Sequence, residues 1–383
     1  MRVLLLLTLA LAAGPTAAAP RARDLGVPFE GTPGPLNAIT DVAGVTVGQV
    51  TLIEDLPAGR AVRTGVTAVL PRGAATADEA VFGGWFALNA NGEMTGTTWL
   101  EESGQLDGPV LLTNTHSVGV VRDAAIAWRV GRGGTDASGY WWSLPLVAET
   151  WDGYLNDING FHVRPEHVAQ ALESAAPGPV AEGNVGGGTG MICHEFKCGI
   201  GTASRRVTAA GRESVLGVLV QANYGLRDSL TIAGVPVGRQ LRKHRVYSEV
   251  DPGARESGSI IVVVATDAPL LPHQLKRLAK RAGMGLARLG SIAGNGSGDL
   301  FVAFSTANPG VLTGAARGRV EFLGNDGLDP LFAATAQATE EAIVNAMVAA
   351  RDMQGTEGHY ALGMPQDELR ALLKRYGRLQ GAN

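Results

Sequence analysis

One stretch of eight residues, 259–266, constrains the fold of this chain more than any other. It consists of Ser, two Ile, three Val, Ala and Thr, and it is the most β-prone run in the sequence. The residues before it, 238–255, are polar, carry a cluster of basic side chains and contain Pro252 and Gly253, a composition typical of a linker. The sequence therefore predicts that a strand begins at Ser259, directly after a polar linker.

Strand-like and helix-like patterns alternate along the rest of the chain. The predicted strands are residues 45–52, 66–70, 110–112, 215–222 and 299–305. The predicted helices are residues 118–130, 165–173, 272–289, 330–353 and 366–376. We find no internal repeat, and the alternation predicts sheets covered by helices.

The composition excludes several classes of protein. With 383 residues the chain has room for two domains or one large one. Its 32 Lys and Arg against 36 Asp and Glu leave no basic surplus of the kind that nucleic-acid-binding proteins carry. Two cysteines exclude a Cys-rich metal site, and no His-Glu-x-x-His motif occurs among the seven histidines. We therefore expect no nucleic acid and no metal.

Residues 1–19 have the pattern of a secretory signal peptide. A positive start is followed by the apolar residues 3–13, by Gly14 and Pro15, and by three alanines at 17–19. The apolar run is shorter than the roughly 20 residues that a membrane anchor needs, and no later run reaches that length. The sequence predicts a periplasmic or secreted protein with no membrane contact after signal removal, an uncleaved signal anchor being the alternative.

Export also permits a disulfide between Cys193 and Cys198. On a single extended strand, a spacing of five residues would send the two side chains to opposite faces of the sheet. We therefore expect two free thiols, with a local disulfide across a turn as the alternative. Between them, His194 and Glu195 are expected at the surface or in a supporting role.

Common catalytic motifs are absent. The glycine-rich residues 186–190 lack the Gly-Lys-Ser/Thr completion of a phosphate loop and are expected to form a tight turn. Neither a Gly-x-Ser-x-Gly elbow nor a Ser-x-x-Lys pair occurs. A serine nucleophile needs a base to accept its proton, and no histidine is obviously placed for that task.

Gly258 and Ser259 offer a different solution. Because glycine puts no side chain against its own carbonyl, the Ser259 hydroxyl could attack that carbonyl and break the peptide. Ser259 would then own a free α-amino group, whose pKa of about 7.7–8.0 suits a general base near neutral pH. Nucleophile and base would be one residue. The alternative is an ordinary loop serine at the start of a strand.

Two other segments carry side chains that suit such a site. Residues 294–299 lead into a strand, and Ser297 and Asp299 could form a hydrogen-bond chain to Ser259, although the segment could equally be a hairpin turn. Asn223 ends its own predicted strand and could donate its amide to an oxyanion.

The segment of residues 149–157 combines carboxylates with aromatic side chains. In the functional interpretation, Glu149 and Trp151 lie in a pocket that binds the ammonium group of a substrate. The alternative is that the segment is a structural turn. Structural packing is the expected role of Tyr154 in the same loop.

Together these segments resemble a family of self-processing aminopeptidases, which includes the L-aminopeptidase/D-esterases and the β-peptidyl aminopeptidases. The matching segments, in order, are residues 31–48, 63–73, 113–119, 149–157, 183–191, 220–225 and 258–269. The resemblance covers nearly all of the mature chain. It implies an α+β fold, a four-layer α-β-β-α sandwich like that of the N-terminal-nucleophile hydrolases, and no cofactor.

The resemblance also implies a cut between Gly258 and Ser259. The fragments, residues 20–258 and 259–383, would stay together as one folded unit, commonly in a homotetramer. The implied roles are Ser259 as nucleophile and amine base, Ser297 and Asp299 as its support, Asn223 in the oxyanion hole, and Glu149 and Trp151 at the substrate. Some family members have Glu in place of Asp299 and Tyr in place of Trp151.

The sequence thus predicts an exported serine aminopeptidase that removes small α- or β-amino acids from short peptides, amides or esters through an acyl-enzyme. One alternative is an acyl or acetyl transferase of the related self-processing fold, which would usually employ threonine. Another is a non-catalytic periplasmic binding protein with an uncut chain. A cut between Glu256 and Ser257 also remains open, although Glu is a poorer residue than Gly before the cut.

Overall fold

The structure, a computed structural model, describes residues 20–77, 79–133, 141–247, 256–312 and 317–381. The predicted signal peptide, residues 1–19, lies outside the described residues, as do residues 248–255 of the predicted linker.

Strands and helices alternate as the sequence indicates. The strands are β1 (Thr46–Asp55), β2 (Ala61–Leu70), β3 (Val81–Ala90), β4 (Gln105–Leu106), β5 (Val110–Asn114), β6 (Leu146–Thr150), β7 (Ile192–Cys193), β8 (Phe196–Lys197), β9 (Ile200–Ala209), β10 (Arg212–Asn223), β11 (Ser257–Thr266), β12 (Gly296–Ser305), β13 (Met353–Gln354) and β14 (Tyr360–Ala361). The helices are α1 (Thr97–Ser103), α2 (Val118–Gly131), α3 (Pro165–Glu173), α4 (Val237–Gln240), α5 (Pro272–Arg288), α6 (Asp329–Ala349) and α7 (Gln366–Arg375).

Two main sheets form the centre of the molecule. The larger has the order β4-β3-β12-β11-β10-β9, and the smaller has the order β1-β2-β5-β6. Within the larger sheet, β11 pairs antiparallel with β10 and parallel with β12. The most β-prone run of the sequence is therefore a central strand.

Three layers of apolar side chains hold the sheets and helices together. Even-numbered apolar residues of β11 pack with α5 and α6, and odd-numbered ones pack between the two sheets. A third core joins the smaller sheet to α2 and α3. Because β11 is covered on both faces, its sequence is continuously apolar and does not alternate. The resulting order of layers is α-β-β-α, as the resemblance implies.

The prediction of two free thiols is wrong, because Cys193 and Cys198 form a disulfide with their Cα atoms 5.4 Å apart. They do not share one strand: β7 ends at Cys193, and β8 runs back antiparallel to it. His194 and Glu195 form the turn between, both with left-handed backbone angles (φ of 47° and 60°). The local disulfide across a turn, the alternative from the sequence, is the one observed.

The expectation that His194 and Glu195 lie at the surface is also wrong, because both are fully buried. Burial lowers the pKa of His194 to about 4. The Glu195 carboxylate accepts hydrogen bonds from the backbone N–H groups of Arg227 (3.0 Å) and Tyr247 (2.9 Å). This hairpin is therefore part of the interior.

Other local expectations are confirmed. Gly186–Gly188 forms a single 3₁₀ turn, so the glycine-rich segment is a tight turn. Tyr154 packs against the rings of His359 and Tyr247. Among the described residues, none of the helices combines the length and the apolar character that crossing a bilayer would need.

Candidate active site

Ser259 lies near the beginning of β11, opposite Asn223 of β10 and beside Gly298 of β12. Strand alternation places its side chain with the odd-numbered residues that face the smaller sheet. The residue is only 5 % exposed, yet it lines an open cavity of about 560 Å³. Glu149 and Trp151 line the same cavity, so two of the predicted substrate residues do meet the predicted nucleophile.

Gly258, the residue before the predicted cut, also borders this cavity. Its φ is +109°, and a Cβ atom there would lie 2.0 Å from the carbonyl oxygen of Asn223. Glycine is therefore required by the close approach of β10 and by the backbone conformation. The peptide between Gly258 and Ser259 is consequently held in a conformation that other residues would not adopt.

Ser297 and Asp299 lie on β12, next to that peptide. Strand register pairs Ser297 with Gly258 and Asp299 with Ile260. The Ser297 hydroxyl donates a hydrogen bond of 2.6 Å to the Asp299 carboxylate, and both side chains are fully buried. In the described part of the chain no hydrogen bond joins either side chain to the Ser259 hydroxyl. The pair thus flanks the backbone of the predicted cut.

The environment of Asp299 disfavours its charge. Burial raises the pKa of this carboxyl to about 6, and the negative charge of Glu256 adds to the increase. The Ser297 hydrogen bond acts in the opposite direction because it stabilises the carboxylate. An acid with such a pKa can change its protonation state close to neutral pH.

Asn223 has its carboxamide held at both ends. Its Oδ1 accepts a hydrogen bond from the backbone N–H of Ile192 (2.8 Å), and its Nδ2 donates one to the carbonyl of Trp151 (2.8 Å). A primary amide has two N–H bonds, so one donor remains for another acceptor. This arrangement fits the predicted oxyanion role.

Glu149 lies near the end of β6 and is 3 % exposed. Its carboxylate accepts hydrogen bonds from the backbone N–H of Glu93 (2.9 Å) and from the Thr115 hydroxyl. Burial raises the pKa of Glu149, although these hydrogen bonds oppose the shift. No salt bridge reaches it from the residues that the structure describes. A buried carboxylate beside a cavity is well placed to hold an ammonium group.

Trp151 contributes in two ways. Its carbonyl orients Asn223, and its ring, 43 % exposed, borders the cavity. A Cβ atom on Gly153 would lie 2.5 Å from the indole ring, so the ring packs closely over that glycine. The indole therefore forms an apolar wall at the opening of the cavity.

Comparison with known proteins identifies the family. The model of peptidase family S58 matches residues 37–361. The chain belongs to peptidase family S58. The beta-peptidyl aminopeptidase BapA of Sphingosinicella microcystinivorans is 55 % identical over 386 residues, with 97 % of this chain and 96 % of that protein covered.

Solved structures of similar proteins agree with this assignment. The L-aminopeptidase D-Ala-esterase/amidase of Ochrobactrum anthropi, a variant of the Ntn hydrolase fold, matches with a TM-score of 0.88 and 50 % identity. The match covers 94 % of this chain and 99 % of that one. A Burkholderia sp. beta-aminopeptidase matches with a TM-score of 0.86 and 49 % identity, over 93 % and 99 % of the two chains. This S58 protein is therefore a hydrolase and an aminopeptidase, and the predicted family, fold and enzyme class are confirmed.

Three contributors to the site of this S58 enzyme were not predicted. They are the Thr115 hydroxyl and the backbone N–H groups of Glu93 and Ile192. Thr115 follows β5, which runs parallel to β6, so the end of that strand had to meet the end that carries Glu149. The parallel pairing of β5 with β6 is a tertiary feature, and no local sequence signal predicts it.

Proposed function

We propose that this S58 aminopeptidase is made as an exported precursor, cuts itself between Gly258 and Ser259, and then hydrolyses N-terminal residues through Ser259. Residues 1–19 are removed, the fragments 20–258 and 259–383 remain one folded unit, and four such units form a homotetramer. The observation that carries the proposal is the position of the Gly258–Ser259 peptide, at the wall of a cavity that also contains the buried carboxylate of Glu149.

Self-cleavage begins when the Ser259 hydroxyl oxygen attacks the carbonyl carbon of Gly258. The C–N bond breaks, the nitrogen keeps the electron pair and receives the proton that the hydroxyl loses, and the acyl group moves to the serine oxygen as an ester. Water then hydrolyses this ester. The products are a carboxylate on Gly258 and a free hydroxyl and α-amino group on Ser259.

Turnover uses these two new groups together. The α-amino group of Ser259, with a pKa of about 7.7–8.0 when unperturbed, accepts the hydroxyl proton as the oxygen attacks the substrate carbonyl. The second N–H of Asn223 stabilises the oxyanion. Ser297 and Asp299 flank the position of the amino group, so they stabilise its protonated form. The acyl-enzyme is then hydrolysed by water.

Substrate selection begins at Glu149. Its buried carboxylate binds the ammonium group of a short peptide, amino-acid amide or ester, and the cavity of about 560 Å³ holds a small first residue with its amino group on the α or the β carbon. The names of the relatives, a beta-peptidyl aminopeptidase and an L-aminopeptidase D-Ala-esterase/amidase, support these substrate classes.

Intact mass and N-terminal sequencing of the purified protein test the proposal. From 39.6 kDa for 383 residues, the fragments 20–258 and 259–383 are expected at about 25 and about 13 kDa, the smaller beginning with Ser259. Ser259→Ala should remain one chain without aminopeptidase activity. Ser257→Ala is the matched control and should be cut and active. Normal turnover by Ser259→Ala, or by an uncut wild-type chain, would overturn the proposal.

A further inference from the structure

The orientation of the Asn223 carboxamide depends on a segment that does not border the cavity. Its two contacts define the orientation together: the Ile192 N–H can only donate and so faces Oδ1, and the Trp151 carbonyl can only accept and so faces Nδ2. Ile192 begins the hairpin that the Cys193–Cys198 disulfide closes. We call residues 191–198 the cystine hairpin.

The turn of the cystine hairpin is an unfavourable one for its sequence. His194 and Glu195 both adopt left-handed backbone conformations, which non-glycine residues rarely adopt because they strain the backbone. Surrounding contacts must therefore hold the turn closed. The His194 N–H donates to the Tyr224 carbonyl (2.7 Å), and the Arg227 guanidinium donates to the His194 carbonyl (2.9 Å). The disulfide is the covalent part of this restraint.

Lys197 fastens the base of the same hairpin. Its fully buried amino group donates to the carbonyls of Met191 and Cys198, both at 2.7 Å. Burial lowers the pKa of Lys197 well below its ordinary value, and the charge of Asp152, which directly follows Trp151, opposes that shift. Lys197 thus joins the two ends of the cystine hairpin and lies in the electrostatic field of the segment that contains Trp151.

We propose that the cystine hairpin positions the oxyanion donor, and that the Cys193–Cys198 disulfide makes this positioning depend on oxidation. The inference rests on the role proposed for Asn223. If the Ile192 N–H moves away, the carboxamide loses one of its two contacts, and only the Trp151 carbonyl still opposes rotation around its last bond. Nδ2 would then no longer be held firmly towards the oxyanion, and its stabilisation of that charge would weaken.

The first test is the double variant Cys193→Ser/Cys198→Ser in the full chain. Because Glu149 and its partners are unchanged, KM should stay within about threefold of wild type, whereas kcat should fall at least about tenfold. A general loss of stability is controlled by Val168→Ala, which opens the core between α3 and the smaller sheet. That variant should lower Tm and leave kcat unchanged.

A double-mutant cycle then identifies the route of the effect. Asn223→Ala alone should lower kcat by about 10²- to 10³-fold, as the loss of an oxyanion donor does. If the hairpin acts through Asn223, adding the cysteine substitutions to Asn223→Ala changes kcat no further. A further tenfold loss in that background, or a double-serine variant with wild-type kcat, would overturn the inference.

The outcomes separate this inference from the proposed function. If Asn223→Ala keeps wild-type kcat, the role proposed for Asn223 is wrong and the inference falls with it. If only the double-serine variant keeps wild-type kcat, the inference alone falls. Values of kcat are calculated per cut chain. For a variant that folds but remains uncut, the rate of self-cleavage takes the place of kcat in the double-mutant cycle. Should the double-serine variant not fold, Lys197→Met, which retains the disulfide, replaces it with the same expected outcomes.

Discussion

Gly258 allows no side chain beside the peptide that we expect to be cut. A methyl group there would collide with the carbonyl oxygen of Asn223, so β10 or β11 would have to move. We expect Gly258→Ala to slow self-cleavage at least about a hundredfold, because a misplacement of about 1 Å is enough for such a loss. The fraction of cut chain, followed over time by intact mass, measures the effect.

Gly211→Ala is the matched control for this experiment. Gly211 also has a positive φ, +78°, but a Cβ atom there would meet nothing within 4 Å. The variant should lose about 1 kcal/mol of unfolding free energy through backbone strain and still be cut at the wild-type rate. Equal slowing of both variants would show that strain, and not the collision with Asn223, controls the reaction.

Glu149 should determine affinity for the substrate's amino group. Glu149→Gln keeps the size of the side chain and removes its charge, so we expect KM to rise about 10- to 100-fold with a smaller change in kcat. Since burial raises the pKa of Glu149, loss of the charge should not destabilise the fold. Glu166→Gln, at an exposed residue of α3 outside the cavity, should leave KM nearly unchanged. Equal KM values for both variants would contradict the assignment.

The parallel pairing of β11 with β12 buries the acid Asp299 beside the peptide that we expect to be cut, and this burial should lower the stability of the fold measurably. The pKa of Asp299 is about 6 in the folded chain, above its ordinary value of 3.8. Ionisation of Asp299 therefore destabilises the fold at pH values above about 6, and this penalty disappears as the pH falls towards 4.

Asp299→Asn should consequently be more stable than its parent at neutral pH, by roughly 1–3 kcal/mol in unfolding free energy. The comparison uses urea unfolding of the uncut Ser259→Ala chain between pH 5 and pH 8. The difference should shrink as the pH falls below about 6. A difference that is independent of pH would show that the charge of Asp299 is not its cause. In the Ser259 background, Asp299→Asn should lower turnover.

The strands that the sequence did not predict have identifiable reasons. β3 contains Gly83 and Gly84, and a Cβ atom on Gly84 would lie 2.5 Å from the backbone nitrogen of Lys276 in α5. Close packing of helix on strand thus requires residues that lower β-propensity. β9 contains the buried Arg205, which forms an ion pair with Glu341 of α6 at 2.7 Å and donates hydrogen bonds to three backbone carbonyls. Because Glu341 is distant in the sequence, the local sequence of β9 does not have the pattern of a buried strand.

Strands and helices with continuous or periodic apolar residues were predicted well. α3 begins at Pro165 and ends at Glu173 as expected, and β10, β11 and β12 appear close to their predicted positions. The cystine hairpin could not be predicted in the same way, because its turn has no glycine and is stabilised by Arg227 and Tyr224 from a later part of the chain. The position of Ser259 near the start of a central strand was accessible from sequence, whereas the contacts that orient Asn223 were not.

The position of the expected cut divides the chain but not the fold. Residues 259–383 would supply nearly all of β11 together with β12, α5 and α6, whereas residues 20–258 supply β10 and β3, which flank them in the larger sheet. The apolar core under this sheet draws its side chains from both fragments. Separation would break two strand pairings and expose that core to water.

We therefore expect the two fragments to stay associated without a covalent link. The cut enzyme and the uncut Ser259→Ala chain should elute together in size-exclusion chromatography, and the fragments should separate only in denaturant. If the smaller fragment elutes alone under native conditions, the larger sheet does not hold the fragments together. A common elution volume that corresponds to four copies would also support the proposed homotetramer. Because the strand pairings exist before the cut, cleavage can free the Ser259 amino group without rebuilding the sheet around it.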